Sequence, residues 1–187
     1  FAHVPGLRVV MPSTVADARD LLIASVLCND PVMYIDDRWL YDQEDDLPPV
    51  VELDLATQRP VVSLIGSDIT IVASGHSSLL AREAAQRLKS KGISIEVVDV
   101  RVLNPFYTEK IIESVKKTKN LLVVDSGWTS GGFSAEIIAK VVEQLPANCL
   151  NNSPVRVALP DASAPTSRVL EKAYYTSTDD VVKAVKK

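Results

Sequence analysis

Cysteine is nearly absent. The 187 residues hold two, Cys28 and Cys149, far apart and outside any C-x-x-C or metal-ligand spacing. This argues against a disulfide framework and makes a reducing compartment the expected setting. Glycine is scarce, at seven residues. No G-x-G-x-x-G or Walker-type loop occurs, so the backbone has no ready approach to a pyrophosphate. Two histidines are present, His3 and His76. Neither has a second ligand four residues away, and no G-x-S-x-G elbow exists, so zinc and Ser-His-Asp chemistry lack a motif. Positive charge is not in excess: 20 Lys and Arg against 24 Asp and Glu give a net charge of −4. That makes the chain a poor candidate for non-specific nucleic-acid binding, which needs basic side chains on phosphates, and it lacks the polybasic segments that hold proteins on anionic membranes. No apolar run reaches the roughly 20 residues of a membrane-spanning helix. The opening "FAHVPGLRVV" has no basic n-region, apolar h-region or cleavage site, so it is not a secretory signal. It begins at Phe1 rather than Met, and the expectation is a removed N-terminus or a piece of a longer chain.

What is present is apolar and periodic. Apolar residues make up 47%, enough for a sizeable core and too many for a disordered tail. Leu7 to Met11 predicts a short strand. Val15, Ala18, Leu21, Leu22 and Val26 predict one face of a helix, which Asn29-Asp30-Pro31 should end. Val32 to Ile35 predicts the next strand, so residues 1–41 form a partial α/β segment. "DQEDD" at Asp42 to Asp46 and then Pro48-Pro49 break the pattern. Residues 42–65 are read as a linker, with some extended pairing around Val50 to Leu55; a long surface loop is the alternative.

From Gly66 the alternation is cleaner. Ile69 to Ala73, Ile93 to Val98, Leu121 to Val124 and Val155 to Leu159 predict four strands. Helical stripes lie between them: Leu80, Ala84 and Leu88; Ile111, Ile112 and Val115 after Thr108 as N-cap; Ile137, Ile138, Val141, Val142 and Leu145. Val181, Val182 and Val185 mark a C-terminal helix. Residues 66–187 therefore predict an open, doubly wound, mostly parallel α/β sheet with helices on both faces.

Candidate chemistry is thin. The loop Ser74 to Leu80 carries His76 at the carboxyl end of a strand, where such folds hold ligands. The loop Ser126 to Ile137 has Gly131-Gly132 before a helix, so its free N–H groups offer an anion site, or a simple turn capped by Ser134 or a neighbour. Asp99 and Asp125 end two strands; each is a ligand candidate by position, or a structural residue that caps a turn or pairs with a neighbour such as Arg101. Trp128 and Phe133 flank the glycine pair as exposed interface anchors. No catalytic, cofactor-binding or metal-ligating set assembles from these residues.

The ordered segments resemble a known family. "FAHVPGLRVVMPSTVADARDLLIASV" and "DPVMYIDDRWLY" are similar to the end of the pyrimidine-binding domain in β subunits of thiamine-diphosphate-dependent 2-oxoacid dehydrogenases. "DITIVASG", "GISIEVVDVRVLNPF", "KTKNLLVVDSGWTSGGFSAEI" and "RVALPDASAPTSRVLEKAYY" resemble the transketolase-type C-terminal domain that follows it. Transketolases and deoxyxylulose-phosphate synthases share that domain and are the alternative, as is a stand-alone interaction or ligand-binding α/β module. The resemblance implies oxidative decarboxylation of a 2-oxoacid, with acyl transfer to lipoamide, by a parent enzyme using thiamine diphosphate and magnesium. The family's cofactor-activating glutamate and its H-S-Q-like histidine fall upstream of Phe1, and its diphosphate site is in an α subunit or N-terminal domain. This stretch alone is therefore expected to bind no cofactor and to be inactive, contributing to assembly. His3 matches a family histidine to which no chemical role is assigned. Some relatives hold potassium around the stretch matching Ser25 to Asp30, here "SVLCND". Implied partners are the α subunit, a second β subunit and a dihydrolipoyl acyltransferase core, in the cytoplasm or an organellar matrix.

Overall fold

The structure, a computed structural model, describes residues 1–187. Two sheets organise it. The smaller has three short strands: β1 (Arg8–Val10), β2 (Val32–Tyr34) and β6 (Val102–Asn104). Their order is β2-β1-β6, with β1 parallel to β2 and antiparallel to β6. Helix α1 (Val15–Leu27) connects β1 to β2, starting where the Thr14 hydroxyl accepts from the Asp17 N–H at 3.1 Å. A single 3-10 turn, Arg38–Leu40, follows.

The larger sheet comprises β3 (Val61–Leu64), β4 (Ile69–Ala73), β5 (Ile95–Asp99), β7 (Leu121–Trp128) and β8 (Val155–Leu159), in the order β3-β5-β4-β7-β8. Four strands run parallel; β3 pairs antiparallel with β5 at one edge. The helices are α2 (His76–Lys89), α3 (Glu109–Thr118), α4 (Phe133–Gln144), α5 (Arg168–Tyr174) and α6 (Thr178–Val185).

The predicted doubly wound architecture is what forms. Ile71, Ala73, Ile95, Val97, Leu122 and Val124 face α2 and α6 on one side of the larger sheet. Val72, Val98, Leu121 and Val123 alternate to the other side, against Ile111 and Val115 of α3 and Ile137 and Val141 of α4. Strands buried on both faces read as unbroken apolar runs, which is how Ile69–Ala73 looks in sequence.

Three elements differ from the expectation. Strand β3 lies inside the stretch read as a linker, while Val50 to Leu55 forms no strand. Strand β3 is an edge strand with three of its four residues exposed, so it shows no apolar period. Strand β6 is too short to show a period, and α5 follows a proline-rich turn that masks its start. Thr108 is the N-cap of α3, but its hydroxyl pairs with Gln144 rather than with the helix.

Candidate functional site at the carboxyl edge of the larger sheet

The carboxyl ends of β4, β5 and β7 bring most of the sequence candidates to one edge. Asp99 ends β5 and is buried. It accepts hydrogen bonds from Ser13, in the turn before α1, and from Ser78 of α2 at 2.8 Å. Arg82 reaches the Ser13 hydroxyl and carbonyl, both at 3.3 Å. Burial pushes the Asp99 carboxyl up to about 6, against the pull of those hydroxyls and Arg82. Asp99 does not pair with Arg101, which binds Asp17 at 2.7 Å instead. It joins the small sheet to the large one.

Asp125 is also structural. Its Oδ1 accepts the Gly127 N–H at 2.8 Å and its Oδ2 the Ser134 N–H at 2.7 Å. The α4 N-terminus is therefore met by the chain's own carboxylate, the charge its dipole favours. Ser134, considered as a cap, is fully buried inside the first turn, and its Oγ has no partner. Gly132 is the N-cap, and a Cβ there would sit 2.0 Å from the Trp128 carbonyl oxygen.

His76 opens α2. Its N–H donates to Asp37 Oδ2 at 3.1 Å, and its ring stacks on Trp39 with centroids 5.6 Å apart. Tyr175 meets Trp39 edge-on at 5.9 Å. These rings line a 290 Å³ cavity together with Ser77 and Ser126, whose hydroxyls are 2.9 Å apart. Asp37, Trp39 and Tyr175 were not singled out in the sequence. "IDDRWL" carries a turn signal, since Asp37 also accepts the Trp39 N–H at 3.1 Å, but its meeting with His76 is a tertiary event.

Trp128 is 53% exposed, with its Nε1 held by the Ala162 carbonyl and the Tyr174 hydroxyl. Phe133 is not an exposed anchor: it is half-buried, edge-on to Phe106 at 5.2 Å. His3 is exposed and lies on a separate, 730 Å³ groove with Asn104, Phe106 and Lys140. In the Ser25–Asp30 stretch, Ser25 donates to the Leu21 carbonyl at 2.6 Å and Asp30 pairs with Arg8 at 2.6 Å. Cys28 and Cys149 are free thiols.

The family description "Transketolase, C-terminal domain" matches residues 60–181. The chain belongs to the transketolase C-terminal domain family. The transketolase-type match starts just before β3, so it takes in the edge strand. Over its whole length the chain is 34% identical to the pyruvate dehydrogenase E1 component subunit beta of Rhizobium meliloti (strain 1021), covering 40% of that protein. It is 35% identical to the mitochondrial E1 beta subunits of Caenorhabditis elegans and Saccharomyces cerevisiae, covering 54% and 52% of them. The chain thus spans about half the length of the curated relatives it matches. A solved split gene transketolase, an inactive beta4 tetramer, superposes with a TM-score of 0.77 at 25% identity, over 99% of this chain and 58% of that one. No helix is long and apolar enough to cross a membrane.

Thiamine diphosphate with magnesium would need a convergent metal set and open N–H groups for the diphosphate. No group of three or more His, Cys, Asp or Glu side chains converges here to hold a metal ion. The α2 and α4 N-termini are met by Asp37 and Asp125. The residues present do not fit this group.

Proposed function

We propose that the chain is the C-terminal portion of the β subunit of a 2-oxoacid dehydrogenase and serves assembly rather than chemistry. The observation that carries this reading is the alignment to E1 beta subunits across the whole chain, through both sheets and in order. The donor set supports it: the carboxylates at the carboxyl edge, Asp99 and Asp125, are spent on the chain's own hydroxyls and N–H groups. In this reading the cofactor and magnesium are bound by upstream residues and an α subunit, and a second β subunit and an acyltransferase core dock on the assembled particle. Its setting is the cytoplasm or an organellar matrix.

The test is reconstitution. The full-length protein is co-purified with a candidate α subunit, and carbon dioxide release from pyruvate and branched-chain 2-oxoacids is followed with an artificial electron acceptor. Activity should require thiamine diphosphate, magnesium and the α subunit. Turnover by residues 1–187 alone would overturn the assembly role. The split gene transketolase likeness favours a second reading; ketose-phosphate cleavage in place of 2-oxoacid decarboxylation would establish it.

A further inference from the structure

The winding of the larger sheet reverses between β4 and β7. From β4 the chain passes through α2 to β5, on one side of β4; from β7 it passes through α4 to β8, on the other. Helices α2 and α4 lie on opposite faces of the sheet. Two adjacent strands whose connections leave in opposite directions open a crevice at their carboxyl ends, where open α/β sheets bind ligands. The 290 Å³ cavity opens there: Ser77 follows β4, Ser126 comes from the outer half of β7, and their hydroxyls bridge the gap.

The lining says what fits. No Lys or Arg contributes to it, which disfavours an anion. Its one carboxylate, Asp37, already accepts two backbone N–H groups, from Trp39 and from His76 at the positive end of α2. Those N–H groups and the positive end of α2 already stabilise the one carboxylate, and no second carboxylate joins it to hold a cation. Two aromatic rings remain accessible: Trp39 is 64% exposed although His76 covers part of it, and Tyr175 stands edge-on beside it. Around them are hydroxyls that both donate and accept, an imidazole, and carboxylate lone pairs that accept. The volume is about ten times the ~30 Å³ share of one liquid water.

From these features we infer that the cavity binds a neutral polyhydroxylated small molecule of monosaccharide size. An apolar ring face would lie on Trp39, and hydroxyls would reach Asp37, Ser77 and Ser126. Position at the reversal, a lining without Lys or Arg and with a single, already hydrogen-bonded carboxylate, and an aromatic platform beside hydroxyl groups are independent observations, and they agree. The reading does not depend on which reaction the parent enzyme carries out.

The test uses the intact protein, with calorimetry and tryptophan fluorescence during titration with D-glucose, D-fructose, D-ribose and myo-inositol. Inorganic phosphate and tetramethylammonium chloride supply the charged comparison. At least one neutral probe should bind saturably, with an affinity insensitive to added salt. Trp39→Ala should weaken it about tenfold and Ser126→Ala severalfold. Trp39 is exposed, so Trp39→Ala should leave circular dichroism and Tm unchanged; Ser126→Ala leaves the buried Ser77 hydroxyl without its partner and should lower Tm slightly with circular dichroism unchanged. Absence of saturable binding across the neutral panel overturns the inference. So does tighter binding of phosphate or tetramethylammonium, or equal affinity in both variants. The assay requires no turnover, so its outcome is separate from that of the reconstitution.

Discussion

The two sheets solve the burial problem differently. The larger one is covered on both faces, by α2 and α6 on one side and α3 and α4 on the other, around two extensive apolar clusters. The smaller one has a separate cluster of only five buried apolar residues, Val10, Leu21, Ala24, Leu55 and Val102, while Val9 and Leu103 on its strands pack into a cluster of the larger sheet. One of the five, Val102, is on β6, a strand contributed from the larger half of the chain. The remaining support is also borrowed: Asp99 holds Ser13, Arg101 pairs with Asp17, and the Arg101 carbonyl accepts the Met11 N–H at 2.8 Å. Meanwhile α1 is apolar around most of its circumference and leaves Leu22, Val26 and Leu27 exposed. A helix apolar all round is built to be covered on more than one side. The larger sheet carries its own core, whereas the smaller depends on what it touches.

The strongest break of this comparison is a truncation in each core. Ile71→Ala, at the centre of the larger sheet, should cost about 4 kcal/mol and lower the whole transition. Leu21→Ala should cost about 2–3 kcal/mol, because a five-residue cluster has less to lose and can collapse. Hydrogen exchange separates the two. In Leu21→Ala the amides of β4, β5 and β7 should keep their protection while α1 loses it. Equal loss in both regions would show that they unfold as one.

The junction comes next. The folded Asp99 carboxyl is raised to about 6 from an ordinary 3.8, first by burial. Between those values the folded chain holds a proton that the unfolded chain has released. This contribution is therefore complete below about pH 4 and lost as pH rises through 6, on the order of 2–3 kcal/mol. Asp99→Asn keeps an acceptor for Ser78 and a donor for Ser13. It should remove the pH 4–6 slope and leave stability at pH 7 equal or higher, read by urea melts across that window. Asp99→Ala should destabilise at every pH, because it strands two buried hydroxyls.

Asp125→Ala should cost about 2 kcal/mol by leaving the Gly127 and Ser134 N–H groups without their acceptor, with Asp125→Asn recovering part of it. Fraying should be confined to the β7–α4 turn in hydrogen exchange. A loss spread through the smaller sheet would mean that the two halves are coupled more tightly than their cores imply.

How much of this was legible in sequence follows the same division. The long two-faced strands and the α2, α3 and α4 stripes declare themselves by apolar runs and 3.6-residue spacing. Strands β3 and β6 did not: one is an exposed edge and the other spans three residues, so neither offers a period to read. Asp99 ends its strand as expected, whereas Asp125 lies inside β7, which runs on to Trp128; both roles stay open in sequence. What settled them was contact with Ser13, Ser78 and Ser134, none of them adjacent in sequence. The ring cluster of Trp39, His76 and Tyr175 joins positions on three separate segments, and no local rule connects them. Phe133 reads as surface in sequence because it follows a glycine pair in a loop, yet it is half-buried. Phe106, which covers it, sits in another loop.

The smallest expected effect is the most informative about α1. Val26 is 77% exposed, so in the 187-residue chain Val26→Ser should change stability by less than about 0.5 kcal/mol. The same substitution in the assembled particle of the proposed function reads whether residues outside these 187 cover that face. Burying a valine side chain contributes about 1.5–3 kcal/mol, so a cost of that size there, against almost none in the shorter chain, would mean that a further layer completes the smaller sheet. Equal small effects in both would mean that α1 keeps an open apolar face, and the dependence of the smaller sheet would then end at β6 and Asp99.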